Sequence, residues 1–209
     1  MLGPVELATL IAFCVPWADP GVAYALVMAG SGGAPWRITH ADGRVTDAAS
    51  AREALSALEA VGTASGQPTA PSYVGLMQVP FDPARDGAHS STVLLDKCAN
   101  IAIGYQRYVA AWDAAARYDK AAGPRTAIAL NLYRTAQPLR QSPYAAAVAD
   151  LMGKPVPARP AAMTDPIYHK VLAEWSAGIA ARHGARGGGQ TITLLADAAQ
   201  HASRSRQGK

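Results

Sequence analysis

Residues able to do acid–base chemistry are few and scattered in this chain. Glutamate occurs only as Glu6, Glu53, Glu59 and Glu174. The stretch "ALVMAGSGGAPWRI" (25–38), a helical run ending in a small-residue turn, holds no carboxylate at all. Shortly after it come His40 and Asp42. Asp42 reads either as a proton donor or as the turn residue of an Asp-Gly hairpin, the reading that side chain favours through local hydrogen bonding. His40, His89, His169, His183 and His201 lack ligand spacing, so each is expected at the surface and no metal centre is expected. No GxSxG nucleophile motif is present, which leaves a Ser-His-Asp set without support. The "GSGG" turn at 30–33 lacks the Lys-Ser/Thr that completes a phosphate loop, and no cofactor is expected.

Helices must position what chemistry there is. Leu7, Leu10, Ile11 and Cys14 fall at i, i+3, i+4, i+7, one face of a short helix. Asp19 and Pro20 are an N-cap and a first-turn proline, predicting a helix over about 20–30 with Ala23, Leu26, Val27 and then Gly30 on its apolar face. Gly30 should therefore point inward or into a cleft. Asp42-Gly43 between two short alternating runs predicts a hairpin, expected to be the only sheet. Ser50 and Glu53 form a capping box for a helix that Gly62 should stop, which gives Glu53 and Glu59 ordinary helical roles. A loop over 62–73 leads to "VGLMQVP". Asp96 opens a long helix striped with Ile101, Tyr105, Tyr108 and Trp112; Pro124 opens another through Tyr133, and Pro143 a third ending near Gly153.

Length and composition agree with a mostly α protein. The 209 residues suffice for one ordinary domain with an appendage, and half of them are apolar. Abundant alanine with sparse β-branched and aromatic residues favours helix. The net charge of +4 is unevenly spread: residues 1–153 carry 11 Lys/Arg against 12 Asp/Glu, residues 154–209 carry 8 against 3. The basic character belongs to the tail, so nucleic acid is a disfavoured partner for the whole chain. The expected domain spans 1–153, followed by a Pro-rich linker at 154–166, a helix over 167–183 and a basic tail at 184–209. No run of about 18 apolar residues is present to span a membrane. The start lacks the positive region of a secretory signal and carries Glu6 before its apolar stretch. Cys14 and Cys98 read as two buried thiols or as one disulfide, and closing so long a loop would contribute about 4–5 kcal/mol in the chain-entropy account.

Four stretches, taken in order, resemble the lytic transglycosylases of the lysozyme-like superfamily, in particular the small members that accompany type IV secretion and conjugation. "CVPWADPGVAYALVMAGSGGAPWRI" is similar to the family's opening, in which a helix ends in Glu-Ser-Gly. "SYVGLMQVP" is similar to its Gly-Leu-x-Gln motif, "LDKCANIAIGYQRY" to its Asp-Pro-Cys-x-Asn segment. "ALNLYRTA" with "SPYAAAVADLM" is similar to its Asn-x-Gly motif and closing helix. The resemblance covers about residues 3–153 and implies a lysozyme-like helical domain with a small hairpin and a cleft. It also implies that Cys14 and Cys98 pair, and hence a periplasmic location.

The family cleaves the glycosidic bond between N-acetylmuramic acid and N-acetylglucosamine with one glutamate. That acid protonates the leaving oxygen and then helps the muramic 6-hydroxyl close an anhydro ring. Here Gly30 stands at its position, and loss of such catalysis costs about 100- to 10,000-fold. The resemblance implies ligand contacts at Ser31, Gly75, Leu76, Gln78, Tyr133 and Arg134, with Arg134 replacing an asparagine and Ala136 a glycine. Ser31 alternatively just ends its helix, and Trp36 either packs in the core or stacks on a sugar. Two functions compete: a degenerate member that binds peptidoglycan strands or secretion-system subunits, and a working transglycosylase that recruits Asp42 or Glu53. A tail-mediated adaptor for DNA or anionic lipid ranks last.

Overall fold

Local signals at helix starts decide where the chain turns. In the computed structural model, which describes residues 1–64, 71–82, 91–118, 124–138 and 142–156, α1 (Pro4–Cys14) buries Leu7, Ala8, Ile11 and Ala12. The Asp19 carboxylate accepts from Val22 N and starts α2 (Pro20–Ser31), which ends at Gly32 in the left-handed region. Ser50 Oγ accepts from Glu53 N, and Glu53 Oε2 accepts from Ala49 N, at the head of α3 (Ala51–Ala64). That helix runs past Gly62, whose cost of about 1 kcal/mol against alanine is too small to end a helix unaided. A short helix, α4, is described over 91–95. Asp96 and Ser142 cap α5 (Lys97–Ala115) and α7 (Pro143–Met152), and α6 (Arg125–Thr135) lies between them.

The sheet is larger than the Asp-Gly hairpin. β1 (Arg37–Thr39) and β2 (Val45–Asp47) pair around that turn, but β3 (Ser72–Val74) and β4 (Val79–Phe81) extend the sheet in the antiparallel order β2-β1-β3-β4. Ile38 faces Val74 across β1 and β3, and Val74 faces Val79 across β3 and β4. The segment expected as loop followed by "VGLMQVP" is therefore a second hairpin whose turn is Gly75–Gln78. Strands of three residues are too short to show an alternating pattern, which hid them. Pro80 is tolerated because β4 is an edge strand.

Packing gathers these elements around one core. Leu7, Ile11, Leu26, Ile38, Leu76, Met77, Ile101 and Leu130 are essentially fully buried, and burial of each such side chain contributes about 1.5–3 kcal/mol. Helix α5 packs on α6 and α1, while α7 lies on α2 and α6. A Cys14–Cys98 disulfide, with Cα atoms 5.0 Å apart, joins the end of α1 to the start of α5. By contacts the chain divides into Met1–Ala158 and Arg159–Lys209. The expected helix over 167–183, the tail and most of the linker lie outside the described residues.

Candidate functional site

Gly30 continues the stripe of Ala23, Leu26 and Val27, each fully buried, and that stripe carries it against the β3–β4 turn. A β-carbon on Gly30 would stand 3.1 Å from Gln78 Cγ and 3.6 Å from the Leu76 carbonyl oxygen. The end of α2 and the Gly75–Gln78 turn are thus neighbours, and what α2 presents there is a hydrogen atom. Ser31, next in sequence, is fully buried; its hydroxyl donates to Val27 O and accepts from Gly33 N, which closes the helix end.

The turn is held from inside. Gly75 has φ +78°, and a β-carbon there would overlap the Asn100 amide. Asn100, buried near the start of α5, accepts from Met77 N and donates to Val74 O and Leu94 O. Gln78, at φ +49° and 1% exposed, accepts from Thr39 Oγ1 through Oε1 and donates through Nε2 to Gly75 O and Arg37 O. The Leu76 side chain is fully buried. Leu76 and Gln78, expected as ligand contacts, therefore use their side chains to hold the turn, because a tight turn with two left-handed residues needs internal partners. Asn100 was not singled out from sequence. The available signal was an amide amid an apolar helical stripe, two residues after Cys98.

Aromatic residues of α6 and α7 close the other side. Tyr133 donates to Met77 O and stacks on Tyr144, ring centroids 6.0 Å apart; Tyr144 donates to Leu26 O, one turn before Gly30. Burial pushes both phenols above their ordinary range, so both remain donors at neutral pH. The Arg134 guanidinium lies 3.7 Å over the Tyr73 ring and 5.4 Å from that of Tyr144, and Tyr73 donates to the Arg134 carbonyl. Arg134 Nη1 is buried without a hydrogen-bond partner. Ala136 ends α6 with φ +56°, a conformation that favours glycine.

The substitute acids stand in other settings. Asp42, its side chain 64% exposed, accepts from Arg44 N and sits 3.8 Å from that guanidinium, in solvent and beside a cation. Glu53 is an exposed helix cap. Asp47 forms a two-point pair with Arg37, which holds its carboxyl below the usual range, opposite to the needs of a general acid. His40, expected at the surface, is only 7% exposed: Nε2 lies 2.9 Å from Thr46 Oγ1, and burial with Arg44 nearby lowers its pKa. The hairpin folds this ring inward, which a single residue in a short strand does not signal. Trp36 is half-buried with the Lys97 ammonium 5.5 Å from its ring centre, and His89 lies outside the described residues.

The described residues thus define a mostly helical protein with a small antiparallel sheet, in which the end of α2, the β3–β4 turn, α6 and α7 meet. Among them no group of three or more His, Cys, Asp or Glu could hold a metal, and no helix is long and apolar enough to cross a membrane. No family model, curated protein or solved structure matches the chain.

Proposed function

We propose that this protein is a lytic-transglycosylase-like component of a type IV secretion or conjugation system that binds peptidoglycan strands without cleaving them. The observation that carries the reading is a convergence. Gly30 abuts Gln78, Asn100 holds the turn, Tyr133 bonds Met77 O, and Tyr144 bonds Leu26 O, so all four stretches of the resemblance meet at one place. At that place the acid's position bears no carboxylate. General acid catalysis is worth about 100- to 10,000-fold, and without it binding outlasts turnover. The Cys14–Cys98 disulfide is compatible with an oxidising compartment, which supports a periplasmic site of action.

A working enzyme built on Asp42 or Glu53 draws little support from their surroundings, since neither occupies the apolar pocket that makes a carboxyl a donor near neutral pH. The test is co-sedimentation with insoluble peptidoglycan, followed by muropeptide analysis of the supernatant, for the native chain and Gly30→Glu. The native chain is expected to sediment with the glycan and release no anhydro-muropeptides. Release by the native chain, or failure to sediment, would overturn the reading. Release by Gly30→Glu alone would strengthen it; its β-carbon would stand 3.1 Å from Gln78 Cγ, so that side chain must shift to admit it.

A further inference from the structure

Arg134 is held by rings rather than by an anion. Arg37, Arg44 and Arg125 each have an aspartate within ion-pair distance; Arg134, like Arg52, Arg107 and Arg117, pairs with no carboxylate among the described residues. Its carbonyl is held by the Tyr73 hydroxyl and its guanidinium face rests on the Tyr73 ring, with Tyr144 on a second side. Nη1 is buried and unbonded. A cation taken out of water is retained at a cost unless an anion meets it. The ring contact leaves a guanidinium whose fork of N–H donors matches a planar two-oxygen partner in geometry.

We propose that Arg134 binds a carboxylate of the ligand. The inference rests on the glycan-binding reading above and narrows it to acidic glycans. In such strands a carboxylate has two sources: the lactyl group of a muramic acid freed of its peptide, or the peptide stem where one is attached. Tyr133 and Tyr144, bonded to the turn and to α2, fix Arg134 relative to Gly30 and place the charge on the wall of the same site.

Calorimetric titration of the full chain tests this with three soluble probes: a neutral N-acetylglucosamine oligomer, a peptide-free glucosaminyl-muramic oligomer of equal length, and the same oligomer carrying its stem peptide. One or both acidic probes should bind about 10- to 100-fold more tightly than the neutral one, the range for hydrogen bonds to a charged group. That preference should vanish in Arg134→Gln and return only in part in Arg134→Lys, which keeps the charge but not the fork. Preference for the peptide-free probe names the lactyl carboxylate, and preference for the peptide-bearing probe names the stem; either supports the proposal. Equal binding of all three, or a preference that survives Arg134→Gln, overturns the carboxylate assignment while leaving glycan binding in place. Binding of none overturns the glycan-binding reading and this assignment together.

Discussion

Two left-handed turns border the site, and they are built in opposite ways. At Gly75–Gln78 the positive-φ entry residue is a glycine, and Gln78, Asn100 and Thr39 satisfy the polar groups around it from within the fold. At Tyr133–Ala136 the positive-φ residue is an alanine, and beside it lies a guanidinium with a buried, unbonded nitrogen. The first turn is complete without a ligand. Both turns hold a non-glycine residue at positive φ, Gln78 and Ala136, but only beside the second is a buried guanidinium nitrogen without a hydrogen bond, the cation resting on the Tyr73 and Tyr144 rings. A residue named as a ligand contact from its motif can thus be an internal brace, as Gln78 is, while its altered neighbour in the site retains free bonding capacity.

The largest expected effect tests the completeness of the first turn. Gly75→Ala must place a β-carbon at φ +78° and into the Asn100 amide, so it should lower folding stability by about 3–5 kcal/mol, read as a drop in the urea midpoint. An unchanged midpoint would show that the turn yields freely. Tyr133→Phe comes next, with an expected loss of about 1–2 kcal/mol, because the Met77 carbonyl loses its donor in a buried setting. The same variant should change the alkaline limb. A phenol whose folded pKa is raised favours the native state fully below about pH 10, the unfolded value, and that contribution is lost as pH climbs from there toward the higher folded value. Stability of the native chain should therefore fall more steeply above pH 10 than that of Tyr133→Phe.

The second turn should respond with the opposite sign. Ala136→Gly relieves a left-handed alanine and is expected to raise stability by about 1 kcal/mol, seen as a higher thermal midpoint. Arg134→Gln should move stability least, by less than about 1 kcal/mol, since the lost ring contact is offset by removal of an unpaired charge. A large destabilisation by Arg134→Gln would make this arginine a brace like Gln78 and erase the contrast between the turns.

Much of the helical framework was legible in the residues. Asp19, Ser50, Glu53 and Asp96 cap helices as their types and positions imply, because capping depends on atoms within three or four residues of the cap. The inward face of α2 followed from its period, and the Asp42-Gly43 turn from its dipeptide. β3 and β4 did not, since pairing with β1 supplies their reason to exist and three residues carry too little pattern. The burial of His40 was likewise a matter of where the hairpin folds.

What the sequence by itself determined is local: helix starts, the buried stripe of α2, the Leu7 and Ile11 positions of α1, and the absence of a carboxylate at Gly30. What only the tertiary structure decided is which distant residues meet. That Gly30 abuts Gln78, that Asn100 rather than Gln78 joins the turn to α5, and that Arg134 rests on Tyr73 all depend on contacts between residues 23 to 61 positions apart. The physical reason is that a side chain's hydrogen-bonding capacity is set by its type, while the partner that satisfies it, or leaves it open for a ligand, is set by packing.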